Sequence, residues 1–348
     1  MRRRLAKFLL VILAIGGAVY GYLAIATRIE TERMATPLPH ASSTPVPRLN
    51  HATVIDDVRN LADPAFEGRK TGTAGNKRAR DWLVERFRTI GLAPIGASYL
   101  QPFTFLRKSG GGLFNLQGKS ESRHEGINII GSIAGSDASR ILLISAHYDH
   151  LGIVDGKLFP GTDDNASGVA TMLAIADYFK AHPPQHTMVF VAFDGEEQGL
   201  RGARHFAANL PFPRERLALN LNMDMVSHSD TNEIFASGIY HWPVLQSQVE
   251  AAAKQHAVRV LLGHDRPAWR AGSVEDWTES SDHGPLHALG VPYLYFGVED
   301  HADYHATSDT YASLRKDFLL RAAELILEVT LLLDQNMTTL SPPASARR

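Results

Sequence analysis

The chain has 348 residues, of which 44% are hydrophobic, with a formal net charge of −2 and no cysteine. That apolar share can close a large core, so one α/β domain behind an N-terminal extension is the simplest organisation, and the balanced charge gives no electrostatic footprint for nucleic acid. Without thiols there is neither a disulfide framework nor a thiolate zinc site, so any metal must be held by His, Asp and Glu.

The first residues carry Arg2, Arg3, Arg4 and Lys7 ahead of an uncharged run, residues 8–27. A run of that length spans a bilayer with its basic flank in the cytoplasm. Residues 1–27 are therefore expected to be a transmembrane anchor, or a signal peptide cleaved near Ala24-Ile25-Ala26. Either way the remainder faces the periplasm or the exterior, tethered to the cytoplasmic membrane or released. Residues 28–48, with Pro37, Pro39, Pro45 and Pro47, read as a linker. The folded domain is expected over 49–335, and 336–348 as a flexible tail.

Within the domain, Ala79, Trp82, Leu83, Phe87 and Ile90 recur at helical spacing and predict an amphipathic helix over 75–91, stopped by glycine. Residues 109–112 read as a loop and 127–133 as a strand. Apolar runs ending at His147 and Phe193 read as buried strands, with a helix over 166–179 between them. A helix over 203–210, a strand over 217–226, a helix over 243–256 and strands over 258–262 and 291–297 follow. The last helix, 314–334, places Arg315, Lys316, Asp317, Arg321 and Glu324 on its outer face. This alternation predicts an α/β fold with a mixed, mostly parallel central sheet sandwiched by helices.

Metal-binding residue types cluster where these strands end. His147 and Asp149 stand two apart at one strand end, so they can act on one target, and open α/β sheets keep their sites at that edge. Asp163-Asp164-Asn165 opens the following helix, and Glu196-Glu197 follows the next strand. Asp224 ends another, and the loop 298–305 holds both His301 and His305. By default a lone Asp224 is a cap, Asp163 and Asp194 make turn hydrogen bonds, and His150, His228 and His283 are structural or rim histidines.

As an ordered set, His147-x-Asp149, Asp163-Asp164-Asn165-Ala166-Ser167-Gly168, Glu196-Glu197, Asn222-Met223-Asp224 and Tyr304-His305 resemble the co-catalytic zinc aminopeptidase family, which includes leucyl aminopeptidases, aminopeptidase Y and glutamate carboxypeptidase. Glu67-Gly68-Arg69-Lys70-Thr71-Gly72 and Asn128-Ile129-Ile130-Gly131 extend the likeness. The resemblance implies two zinc ions held by His147, Asp164, Glu197, Asp224 and His305, with Asp164 bridging. It further implies Asp149 as the carboxylate that orients His147, Glu196 as general base, a cis Asp164–Asn165 bond, and peptide substrates with a free N-terminus. His305 is preferred to His301 because the Tyr-His pair and the trailing Asp309 match. Where several relatives carry a tyrosine before Ser-Asp-His, this chain has Trp277-Thr278-Glu279 before Ser281-Asp282-His283, which leaves the oxyanion donor open. A single-zinc glutaminyl cyclase-like enzyme and a non-catalytic binding domain of the same fold are the alternatives. His147 favours two metals over the first, and the intact ligand set with Glu196 argues against the second. Specificity is expected to lie in the loops 262–279 and 298–304.

Overall fold

A computed structural model of the chain describes residues 36–43, 45–109, 120–266 and 274–340, with a few isolated positions before them. The elements in order are α1 (His51–Leu61), α2 (Ala74–Ile90), β1 (Ala93–Pro94), β2 (Leu100–Ser109), β3 (Ser120–Ile133), β4 (Asp137–His147), the small hairpin β5 (Gly152–Val154) and β6 (Lys157–Phe159), α3 (Gly168–Ala181), β7 (His186–Phe193), α4 (Arg201–Ala208), β8 (Leu217–Met223), β9 (Glu233–Ser237), α5 (Gln246–Ala253), β10 (Arg259–Leu262), α6 (His283–His287), β11 (Tyr293–Gly297) and α7 (Lys316–Leu340).

The described strands form a nine-stranded sheet in the order β1-β3-β7-β4-β8-β11-β9-β10, with β2 also paired to β3. Its middle strands β7, β4, β8 and β11 are mutually parallel, and antiparallel pairings join β3 to β7 and β11 to β9. The pleat sends alternate residues to opposite faces. Leu142 and Ile144 join Met188, Phe190, Leu219 and Leu221 on the face covered by α1, α2, α3, α5 and α7. Ile141, Leu143, Val189 and Val191 face the other way, against Phe206 of α4 and Leu286 of α6. Both faces of the middle strands are covered, which is why they read as unbroken apolar runs. At the end of α2, Gly91 takes φ 83°, the left-handed cap a glycine supplies without steric cost.

Several expectations about the ends need correction. Part of the stretch read as a linker is tied to the domain: Leu38 N–H donates to Val260 O at 2.8 Å and Ala41 N–H to His256 O at 2.9 Å. It thereby satisfies backbone groups beside the terminal strand β10. Glu324 is not on the outer face of the last helix. It is fully buried and accepts from Arg48 N–H, Leu49 N–H and His51 Nε2 at 3.0, 2.9 and 3.0 Å, tying the start of the domain to α7. That helix runs on to Leu340 because Leu333, Met337 and Leu340 extend its buried stripe. The sequence reading passes over α1, β1, β2, the hairpin β5 and β6, β9 and α6. The expected membrane segment 1–27 lies almost wholly outside the described residues, as do 110–112 and 341–348. Among the described residues no helix is long and apolar enough to cross a membrane.

Candidate metal centre

From β4 the chain passes through α3 to β7 on one side of β4, then through α4 to β8 on the other. The C-terminal end of β4 is therefore the point where strand order reverses, the place at which open α/β sheets form a crevice. The loops leaving the four parallel strands all send side chains into it.

His147 is the last residue of β4 and is buried. Its Nδ1 lies 3.1 Å from the main-chain O of Asp149. A carbonyl only accepts, so Nδ1 carries the proton and Nε2 is left facing the crevice. Nε2 stands 3.0 Å from Asp224 Oδ1 and 3.3 Å from Asp164 Oδ1. The orienting partner of His147 is thus the Asp149 carbonyl, because the carboxylate of Asp149 is 3.9 Å from the ring. That carboxylate instead accepts from Glu196 N–H at 3.0 Å and lies 3.0 Å from Thr71 Oγ1. Burial, with Asp194 close by, pushes Asp149 up to about 7.

Asp164 presents its other oxygen to a second group. Oδ2 is 3.1 Å from His305 Nε2 and 3.4 Å from His150 Nδ1. Glu197 closes the ring, with Oε1 2.8 Å from His150 Nδ1 and Oε2 3.3 Å from His305 Nε2. His147, Asp164 and Asp224 therefore form one set of potential ligands and His150, Asp164, Glu197 and His305 another, the donor atoms of each lying within 4.8 Å of one another. His150 was expected to be a structural or rim residue; it is buried inside the second set. His301 lies apart, 2.9 Å from Asp163 Oδ2 and stacked on His228.

Backbone architecture holds the shared carboxylate. Asp164 and Asn165 leave helical torsions in a wide turn before α3, and the bond between them is cis. Asn165 Oδ1 accepts Gly168 N–H at 2.9 Å, capping α3, while Asn165 Nδ2 donates to Met223 O of β8 at 2.9 Å. The carboxylate of Asp309 accepts the N–H groups of Asp163 and Asp164. Arg69, wholly buried, donates to the main-chain oxygens of Leu61, Tyr148, Pro160 and Gly161 and so braces the loops on both sides of the site. Burial pushes its pKa down to about 10, against the pull of Asp164 and Asp309. Sequence reasoning gave Arg69 no role; the signal available was an arginine inside the Gly-Arg-Lys-Thr-Gly stretch. It likewise missed a chain of polar groups in apolar strands, in which Ser145 Oγ donates to Asn222 Oδ1, Asn222 Nδ2 to Ser281 Oγ, and Ser281 Oγ to Asp224 Oδ2 at 2.8 Å.

The clustered charges shift several of these groups from their ordinary values. Burial alone would depress His147, but Asp224 and Glu196 raise it well above its usual value. Burial alone would raise Asp164, but His150, His147 and His305 hold it well below the carboxylate range. Burial, with Asp224, Asp282 and Glu197 adding, lifts Glu196 well above its usual value. Both His150 nitrogens and Glu197 Oε1 are buried without an aligned hydrogen bond. These atoms belong to the second set, whose His and carboxylate donors, with no thiolate, fit a zinc-sized cation. His147, Asp164, Glu196, Glu197, Asp224, Ser280, Tyr304 and His305 line a cavity of about 310 Å³ above them.

Residues 128–330 match the model of peptidase family M28. Aminopeptidase YwaD of Bacillus subtilis is 30% identical over 200 residues, which is 53% of this chain but only 39% of that protein. Among solved structures, a zinc aminopeptidase of Bacillus subtilis superposes with a TM-score of 0.65 at 18% identity, covering 85% of this chain and 98% of that one. A glutaminyl cyclase of Porphyromonas gingivalis superposes with a TM-score of 0.63 at 20% identity, covering 82% and 99%. At those identities the superpositions speak for the fold, while the family match spans more than half the chain and contains every residue of both potential ligand sets. The chain belongs to peptidase family M28.

Proposed function

We propose that this chain is a di-zinc aminopeptidase that removes N-terminal residues from peptides outside the cytoplasm. The observation that carries the reading is Asp164, whose two oxygens address two separate groups of potential ligands. In it His147, Asp164 and Asp224 would hold one ion, and Asp164, Glu197 and His305 the other. Zinc in these positions would polarise the scissile carbonyl and acidify a water.

The remaining work falls to the chain's own groups. Glu196 lines the cavity beside both sets and its carboxyl has a raised proton affinity. It takes a proton from the attacking water and returns it to the leaving amine. Asp149 positions that base by accepting the Glu196 N–H. Burial, with Asp164 and Asp224 adding, raises Tyr304 far above its usual value, so its phenol stays protonated and can donate to a developing oxyanion. The family resemblance implies a free substrate α-amine held beside the metal centre, a group that a blocked N-terminus lacks. The basic start and apolar run of residues 2–27 support export of the domain.

Glu196→Gln tests the assignment against Glu197→Gln. The first is expected to keep two zinc ions and lose about 10²–10⁴-fold in turnover of aminoacyl p-nitroanilides. The second is expected to lose zinc and thermal stability together. Near-normal turnover by Glu196→Gln would discard the mechanism, and equal cleavage of N-acetylated substrates by the wild type would discard the exopeptidase reading.

A further inference from the structure

We propose that His150 is itself a ligand, giving the Glu197–His305 position four protein donors while the His147–Asp224 position keeps three. The inference rests on the two-zinc reading above and adds to it a residue which that reading leaves out.

The distances argue for it. A tetrahedral zinc with nitrogen and oxygen ligands at about 2.0–2.1 Å places neighbouring donor atoms roughly 3.3 Å apart. Around this position the separations are 2.8 Å for His150–Glu197, 3.4 Å for His150–Asp164, 3.1 Å for His305–Asp164 and 3.3 Å for His305–Glu197. Asp164 Oδ2 is shared by both rings, whereas Glu197 meets His150 through Oε1 and His305 through Oε2; with one donor atom taken from each residue, all four lie within 4.8 Å of one another.

The ring of His150 faces the carboxylates of Glu197 and Asp164 as a potential ion pair. The side chain is fully buried, yet neither ring nitrogen has an aligned hydrogen bond. An imidazole buried in that way is destabilising unless something else engages it. The surroundings are built to take the ring: a Cβ on Gly161 would lie 2.5 Å from His150 Cγ, and Gly161 has φ +64°, so only glycine leaves the ring its place. Glu197 Oε1, 2.8 Å from Nδ1, likewise lacks an aligned hydrogen bond. A ring nitrogen and a carboxylate oxygen 2.8 Å apart but poorly aligned for a hydrogen bond are spaced as two ligands of a common ion would be.

The ligand sets then differ in kind. Four protein donors close a tetrahedron and three leave a position open. The position with His150 should therefore bind zinc more tightly and release it last.

Metal-free wild type and His150→Ala would be titrated with zinc against a competing chelator, and the melting temperature followed with and without zinc. Wild type is expected to bind two ions in separable steps. In the variant the tighter step should weaken at least about 10–100-fold, the range known for losing even an outer partner of a metal ligand. The metal-free variant should melt no lower than metal-free wild type, and the rise in melting temperature on adding zinc should shrink. Two unaltered affinities in the variant would overturn the assignment of His150 and leave the two-zinc reading standing. No more than one ion on the wild type would overturn both. Ring-¹⁵N-labelled wild type provides a check that needs no variant to fold. Zinc should move the ring nitrogens of three histidines (His147, His150 and His305) into the metal-bound range, and movement of His147 and His305 alone would overturn the proposal.

Discussion

His283 is buried beside the crevice, with Nε2 2.9 Å from the Trp277 carbonyl and Nδ1 unpartnered. Burial, reinforced by His287 and His241, lowers its pKa to about 3. An unfolded histidine titrates near 6.5, so between pH 6.5 and 3 the unfolded chain binds a proton that the folded one refuses. Stability must therefore fall as pH drops through that window, by up to about 1.4 kcal/mol per pH unit from this residue. Urea unfolding of metal-free wild type and His283→Gln between pH 7 and 4.5 is expected to give a shallower loss in the variant, and parallel slopes would contradict the assignment. At this scale the sequence supplied residue types but not partners. His147-x-Asp149 suggested a side-chain pair, whereas the ring meets the carbonyl of Asp149 and the carboxylate turns to Glu196 N–H, a contact between loops that follow different strands.

Among the elements, the start of α3 ties site to scaffold most directly. Gly168 begins the helix where Asn165 reaches both its N–H and Met223 O. A Cβ there would lie 2.3 Å from Asn165 Oδ1 and 2.7 Å from Met223 O. Alanine is the better helix former by about 1 kcal/mol, and on propensity alone Gly168→Ala should stabilise. The close contacts should dominate, since overpacking of this kind costs about 1–3 kcal/mol, and displacing Asn165 also shifts Asp164. Calorimetry is expected to show a lower melting temperature and a weakened response to zinc; a variant as stable as wild type would mean that α3 can slide away from β8. The apolar runs made β4, β7, β8 and β11 legible from sequence, because strands covered on both faces need them. β9 and the short α6 were not legible, since five residues carry too little periodicity.

For the whole molecule, the proposed topology predicts that a protease added to spheroplasts of a bacterial host producing the full chain digests the domain; full protection would refute export. The proposed zinc ligands gather from loops after β4, β7, β8 and β11 although they are far apart in sequence, because the parallel strands end at one edge. By itself the sequence determined the α/β alternation, the buried strands and the metal-binding residues that follow them, since strand burial and residue chemistry are local properties. Only the tertiary structure decided that His150 joins Glu197, that Arg69 braces four carbonyls and that Glu324 is buried under the start of the domain. Each of these is a distance between segments set by backbone torsions and packing, and no local pattern of residues encodes such a distance.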